Sequence, residues 1–386
     1  MSHAPAFPFP RPDSLGPPPE YARLREKSPL SRVTVWGDQS AWLVTRYDDV
    51  RAVLSDARLG VQPPGASVPG NASLMQDPPE HTRLRGLVSK AFAARQVQDL
   101  APRVAGFAAE LVDAMAAGGP RADIVGALAR PLPLAVIGTY LGIPEADREE
   151  FRERADAIED GTGALAVWER LTAYLSEVVA RKRRAPGDDL LSALIALHDE
   201  DGVALSTDEL VQVATSLLLG GYGTTANAIS VGVLLLAPDN GFRQLRERPS
   251  LLGAAVEEVL RYQSGRTGVA VVRYAHHDVE LHGERIAAGE AVLVPLDAAN
   301  RDPERFPDPD RFALTRSATG HVAFGHGAHH CVGAALARVE LTEAFRALAR
   351  TLPGLRPVTP VARIPWTRTR EELYVDQGPA SIVVEW

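Results

Sequence analysis

The chain contains one cysteine, Cys331, in a setting that favours the reactive thiolate form. It follows a loop with Gly325 and Gly327 and precedes a predicted helix over Val332–Thr351. The positive end of a helix dipole and free backbone N–H groups stabilise an anion, which lowers the pKa of a thiol. Because Gly325, Gly327 and Gly333 lack a Cβ, the backbone there can take unusual dihedral angles and approach a large flat group.

Three interpretations of this thiol are open on these residues alone. A lone cysteine is often inert core packing. A zinc site with His326, His329 and His330 is a second interpretation, although structural zinc takes paired ligands from two separated elements and no second pair stands at a suitable spacing. The third is ligation of haem iron by the cysteine.

Composition excludes several classes of protein. The 386 residues are 45% hydrophobic and 23% charged, with 41 basic and 49 acidic side chains and a net charge of −8, which argues against a nucleic-acid binder. A single cysteine excludes an intramolecular disulfide framework. The proline-rich first twenty residues lack the charged start and apolar segment of a secretory signal or anchor, so a cytoplasmic protein is predicted.

A stretch without charged residues runs from Leu210 to Pro238. Its length would permit a membrane span, but Gly220, Gly221 and Gly223 stand in its middle, and neither flank has a basic cluster. We therefore predict a buried central helix.

The elements that must position these residues form a mainly α protein with a smaller β-rich region. Two β-type runs over Val33–Thr45 predict a hairpin, and Gly60–Gln76 predicts a long loop. Helical periodicity then runs from Asp77 to about Leu236, and short β-type runs follow Tyr262. No break in composition divides the chain, which predicts a single large domain over residues 1–386.

The wider pattern favours haem. Phe324-Gly325-x-Gly327-x-His329-x-Cys331-x-Gly333 resembles the haem-binding signature of the cytochromes P-450. The resemblance implies the cytochrome P-450 fold and haem b as cofactor. It also implies that Cys331 is the axial iron ligand, and that Phe324, Gly325 and Gly333 help to bind the haem.

Glu258 and Arg261 lie about 70 residues before the cysteine, where the family carries a structural glutamate and arginine pair. The resemblance implies a third member from "ANRDPERFPDPDRF". Spacing favours Arg311 there and makes the literal "PERF" at Pro303–Phe306 a decoy.

Haem carries two propionates, whose burial requires cationic partners. His81 and Arg85 face one way on a helix predicted to begin at Asp77-Pro78-Pro79. The resemblance implies that these two residues, Arg273 and His329 bind the propionates.

"LLLGGYGTTAN" resembles the central helix that crosses the distal haem face in this family. The resemblance implies that Thr224 is the oxygen-handling threonine. The usual pattern has Asp or Glu immediately before it, whereas this chain has Gly223, so protons must come through water, the substrate or another side chain.

Five residues are predicted to line the substrate cavity: Met75, Gly220, Tyr222, Val269 and Gln377. Gly265 stands near a position that usually holds proline, so the adjoining strand is expected to have a specialised shape.

The resemblance covers most of the chain and implies an enzyme without a fused reductase, which takes electrons from a ferredoxin and its reductase. Candidate docking residues are Arg83, Lys90, Arg95 and Arg338. The main hypothesis is a monooxygenase that oxidises a small, largely apolar natural product with dioxygen. Oxidative coupling of aromatic substrates through C–C or C–N bonds is an alternative favoured by Gly223, and a non-catalytic haem or gas-sensing protein is another.

Overall fold

The computed structural model describes residues 4–12, 14–35, 39–66, 74–92, 94–159, 164–197, 202–264, 271–366 and 378–386. The helices are α1 (Pro19–Lys27), α2 (Tyr47–Ser55), α3 (Glu80–Ala91), α4 (Ala94–Ala117), α5 (Pro131–Tyr140), α6 (Arg148–Glu159), α7 (Ala164–Arg184), α8 (Leu190–Ala196), α9 (Thr207–Gly221), α10 (Gly223–Leu236), α11 (Gly241–Glu247), α12 (Leu252–Gln263), α13 (Leu296–Asn300) and α14 (Ala334–Thr351). The strands are β1 (Leu30–Val35), β2 (Gln39–Val44), β3 (Leu59–Gly60), β4 (Arg121–Asp123), β5 (Val271–Ala275), β6 (Val279–Leu281), β7 (Glu284–Ile286), β8 (Ala291–Val294), β9 (Arg356–Pro357) and β10 (Val383–Glu385). The predicted mainly α protein with a smaller β-rich region is confirmed.

The chain folds into two compact units. The first unit comprises Met1–Ala66, Ser230–Cys331 and Pro353–Trp386, and the second comprises Ser67–Ile229 and Val332–Leu352. The division therefore falls inside α10 and directly after Cys331.

A five-stranded sheet in the order β1-β2-β8-β5-β3 organises the first unit. Successive side chains of a strand point to opposite faces, and here both faces are apolar. Trp42 and Val44 of β2 enter one buried cluster, and Ala41 and Leu43 enter another on the opposite face. The predicted hairpin is confirmed as β1 paired antiparallel with β2, and its turn lies outside the described residues.

Helices form most of the second unit, in which α14 packs on α4 and α7 packs on α9. Local sequence sets where these helices begin. Ser206 caps α9 by accepting from the Glu209 backbone N–H at 3.1 Å, while Glu209 Oε2 accepts from the Ser206 N–H at 2.8 Å. Pro131, which we predicted to interrupt a helix, instead begins α5, because the first turn of a helix needs no N–H there.

The charge-free stretch forms two helices rather than the single one predicted. α9 ends at Gly221 and α10 begins at Gly223, because Tyr222 has φ −91° and ψ −81°. By length and composition Thr207–Leu236 could cross a membrane, yet 78% of its apolar window is buried within the protein. Core helices of water-soluble proteins meet the same criteria, so this segment is weak support for a span.

Candidate functional site

The loop that carries Cys331 is held in a defined shape by its own backbone. Gly325 has φ +71° and Gly327 has φ +75°, both in the left-handed region that favours glycine. The Gly325 N–H donates to the Val322 carbonyl at 2.9 Å, and the Cys331 N–H donates to the Phe324 carbonyl at the same distance. The thiol of Cys331 is exposed, so it is not core packing.

The three glycines of this motif have different roles. A Cβ on Gly327 would lie 2.4 Å from the Leu54 carbonyl oxygen of α2, so this glycine allows close approach to protein backbone. Gly333 precedes α14 with an ordinary φ of −82°, contrary to the unusual dihedral angle predicted for it. Only the two loop glycines need the conformational freedom that we inferred from the sequence.

A buried network of hydrogen bonds and ion pairs, centred on Glu258, holds the segment 308–316 that precedes this loop. Glu258 is fully buried and accepts from Arg261 Nε at 2.7 Å and from the Ala313 N–H at 3.1 Å. Its second side-chain partner is Arg316, whose Nε lies 3.0 Å from Glu258 Oε1. The network also extends to backbone, since Arg261 donates to the Asn300 carbonyl at 2.8 Å.

The prediction of Arg311 as the third member is therefore wrong. Arg311 is exposed, and its backbone carbonyl accepts from Arg316 at 3.0 Å. Arg316 also donates to the Asp308 carbonyl at 2.9 Å, so its guanidinium ties the turn to the buried glutamate. Asp308, eight residues before Arg316, has a positive φ, which marks a sharp turn in this segment.

The first unit holds residues whose chemistry suits a haem. Cys331 is exposed, Arg273 of β5 is buried, and His329 ends a short 3₁₀ turn. A soft sulfur ligand suits iron, and cationic side chains suit propionates. The second unit, described by itself, carries the buried His81 and the half-buried Arg85, one turn apart on α3.

His326, which was one of the possible zinc ligands, lies beside a positively charged side chain. His326 Nε2 lies 3.4 Å from the Arg51 guanidinium. Burial and this neighbouring positive charge lower the pKa of His326 below its usual range. Among the described residues, no group of three His, Cys, Asp or Glu side chains is placed to hold a metal ion, so the zinc interpretation gains no support.

Thr224 lies at the start of α10, directly after the break at Tyr222. Its hydroxyl donates to the Gly220 carbonyl at 2.6 Å, four residues back. Gly220 is exposed and Thr224 is half-buried, so this side of the segment is open. Tyr222 has only 2% of its surface exposed, which argues against the cavity-wall role predicted for it.

Of the other residues predicted to contact substrate, the structure describes Met75. Met75 is exposed, with 52% of its surface accessible. Val269, Gln377 and Gly265 lie outside the described residues.

The predicted docking residues separate into two groups. Arg83 forms an ion pair with Glu209, and Arg338 donates to the Ala334 carbonyl at 3.3 Å, so both have structural partners. Lys90 and Arg95 are exposed.

Glu340 was not identified from the sequence, although it stands in the apolar face of α14 between Leu336 and Ala344. Its carboxyl is fully buried, and Oε2 has no hydrogen-bond partner within the part of the chain that the structure describes. Burial raises the pKa of Glu340 well above its usual range, because desolvation penalises the charged form. The sequence does hold a signal for this burial, because Glu340 lies four residues from Leu336 and four from Ala344, both buried and apolar.

We expect Glu340→Gln to stabilise the protein increasingly as pH rises. Because the pKa of the folded carboxyl is raised above that of the unfolded one, ~4.3, folding of the unaltered chain takes up a proton between these two pKa values, and its stability falls there by up to about 1.4 kcal/mol per pH unit. Glutamine removes this dependence. The free energy of unfolding, measured between pH 5 and 8, is the test, with the exposed Glu280→Gln as control. A difference between Gln and Glu that does not change with pH would contradict the assignment.

Comparisons with known proteins agree with this arrangement. The cytochrome P-450 family model matches residues 159–352. The chain is 42% identical to the mycinamicin IV hydroxylase/epoxidase of Micromonospora griseorubida over 397 residues, covering 99% of this chain and 98% of that protein. It is 45% identical to the cytochrome P-450 monooxygenase PikC of Streptomyces venezuelae over 353 residues, covering 88% and 84%.

A solved structure supports the same fold. CYP105P1 in complex with filipin I matches with a TM-score of 0.90 at 40% identity, covering 99% of both chains. Identity at this level over nearly the whole length is far above what a shared fold alone requires. The chain belongs to the bacterial cytochromes P-450, the haem-thiolate monooxygenases.

Proposed function

We propose that this P-450 inserts oxygen into a small, largely apolar natural product, and that the Cys331 thiolate would hold the iron of its haem. The observation that carries the proposal is the exposed Cys331 thiol on a loop shaped by Gly325 and Gly327. Relatives named as a mycinamicin IV hydroxylase/epoxidase and as the monooxygenase PikC support this class of reaction. Haem, when bound, supplies the centre at which dioxygen is reduced by two electrons.

The chain's own residues hold and orient that group. The Cys331 sulfur is directed by the hydrogen bond from its N–H to Phe324, which fixes the backbone on which the thiolate stands. His81, Arg85, Arg273 and His329 are proposed as the propionate partners because they are the cationic residues of the family pattern. Two of them, His81 and Arg273, are buried, where a carboxylate partner offsets the cost of desolvating a cation.

Thr224 is proposed to accept, rather than donate, a hydrogen bond from a water molecule or a substrate group. Its own hydroxyl proton is committed to the Gly220 carbonyl at 2.6 Å, which leaves its oxygen lone pairs as acceptors. Gly223 has no side chain that could deliver a proton. We therefore propose that water or a substrate group completes the delivery path.

Gly223→Glu tests that path. We expect a larger fraction of the oxygen consumed to appear as product, because a carboxylate beside Thr224 can pass on protons, an effect that reaches about 10²-fold for a well-placed acid. The measurement is the ratio of product formed to oxygen consumed, with Gly223→Gln as a control of similar size. Equal coupling in both variants and in the unaltered enzyme would show that position 223 takes no part.

Products formed under isotopically labelled dioxygen test the main proposal. Insertion places the label in the product, whereas oxidative coupling of aromatic substrates, the second candidate favoured by Gly223, leaves the product unlabelled. A protein that binds haem and carbon monoxide yet turns over no substrate with a surrogate redox pair would support neither reaction.

We further propose that the electrons come from a ferredoxin and its reductase in the cytoplasm. The exposed Lys90 and Arg95 support contact with an acidic carrier, since complementary charge steers such encounters. Arg83 and Arg338 have structural partners and are weaker candidates.

A further inference from the structure

His321 links helix α12 to the loop that carries Cys331. Its side chain is 1% exposed, and Nε2 lies 3.2 Å from Oε2 of Glu257 on α12. The two atoms are close without being aligned as a hydrogen bond. On the other side of the ring, Nδ1 accepts from the Ala323 backbone N–H at 3.1 Å.

These contacts define the tautomer of the ring. A backbone N–H can only donate, so Nδ1 of His321 must be the unprotonated nitrogen. A neutral ring then carries its proton on Nε2, which faces the carboxylate of Glu257. Nδ1 is thus held by a hydrogen bond within the loop, and Nε2 lies beside a carboxylate of α12.

The Ala323 contact leads directly to the cysteine backbone. Ala323 is followed by Phe324, whose carbonyl accepts from the Cys331 N–H at 2.9 Å and whose ring lies 6.0 Å from that of His321. On the other side of Ala323, the Val322 N–H donates to Asn300 Oδ1 at 2.8 Å. His321 therefore fixes the one end of the loop that receives the Cys331 N–H.

We propose that His321, supported by Glu257, is a positioning residue that keeps the Cys331 sulfur in the orientation needed for thiolate ligation. This inference rests on the proposed role of Cys331. Groups beyond the direct ligands orient those ligands and tune the metal, and their loss commonly costs about 10-fold or more in affinity or activity. His321 acts through the loop and touches no substrate.

Substitutions at the ring separate its two contacts. His321→Asn places an amide oxygen near Nδ1 and keeps the acceptor for Ala323, whereas His321→Leu keeps the bulk and removes both contacts. We expect His321→Leu to raise the fraction of ferrous carbonyl complex that absorbs at the shorter wavelength of lost thiolate ligation, and to speed haem loss by about 10-fold. His321→Asn should lie between His321→Leu and the unaltered protein, because it retains the Ala323 contact and loses the one to Glu257.

One control variant and two variants of Glu257 are compared with those of His321. His282→Leu is the matched control, because His282 also meets a carboxylate, Asp49, at 2.6 Å but lies on the β6–β7 turn. Glu257→Ala should shift the carbonyl spectrum in the same direction as His321→Leu, whereas Glu257→Gln, which keeps an oxygen acceptor, should not. If His321→Leu does not fold, the comparison of Glu257→Ala with Glu257→Gln tests the positioning role of His321.

Amide hydrogen exchange of Ala323 and Cys331 gives a readout that needs no haem chemistry. We expect faster exchange at both amides in His321→Leu and slow exchange in His321→Asn. Unchanged spectra and exchange in His321→Leu, or equal loss in His321→Asn, would overturn the inference. Absence of the thiolate band in the unaltered protein would instead overturn the role of Cys331, so the two failures are distinguishable.

Discussion

Cys331→Ser is expected to fold, because the side chain is exposed and little packing is lost, yet to lack the red-shifted ferrous carbonyl band from which the family takes its name. The serine hydroxyl stays protonated and cannot supply the thiolate that gives the band. Monooxygenase activity should fall by more than about 10³-fold, as for loss of an essential catalytic group. The measurements are the reduced carbonyl difference spectrum and product formation.

Ala328→Ser is the control for this experiment. It places a hydroxyl in the same loop, at an exposed position, without altering the sulfur. A red-shifted band that persisted in Cys331→Ser would show that another residue ligates the iron, and the proposed function would lose its main support.

Arg316→Ala is expected to destabilise the protein far more than Arg311→Ala. Glu258 is fully buried, and removing Arg316 takes away one of its two cationic partners. Breaking a buried ion pair from one side costs about 3 kcal/mol at the lower end of the usual range, which applies here because Arg261 is retained. Arg311 is exposed, so its loss should change stability by no more than about 0.5 kcal/mol.

Denaturant unfolding and the haem content of the purified protein measure this difference. We expect Arg316→Ala to be recovered with less haem, because the glutamate network supports the segment before the Cys331 loop. Equal losses in the two arginine variants would restore Arg311 to the role predicted from spacing.

The comparison of Arg311 and Arg316 shows where sequence reasoning reaches its limit. Both arginines lie in one short segment, and each is a plausible partner for Glu258 by type and distance along the chain. The turn at Asp308 selects between them, and its left-handed backbone is stabilised by contacts from Arg316 itself. A choice that depends on such mutual contacts leaves no local pattern in the sequence.

The break between α9 and α10 is a similar case. Apolar residues on all sides of this segment predict a buried helix, and they do so across the break as well. At the break, Tyr222 is buried, and the Thr224 hydroxyl donates to the Gly220 carbonyl. The composition of the segment predicts that it is buried, but it does not predict the break at Tyr222.

The sequence by itself determined the resemblance to the family, the thiol and a mainly α protein with a smaller β-rich region, because these rest on local patterns. The spacing of Phe324, Gly325, Gly327 and Cys331 lies within eight residues, and the start of α9 is set by Ser206 and Glu209. Tertiary structure alone decided that Arg316 meets Glu258, that the carboxyl of Glu340 is buried, and that His321 lies between α12 and the cysteine loop. Those outcomes depend on which side chains, far apart in the sequence, come together on folding. They depend also on how much water the fold excludes from around these side chains.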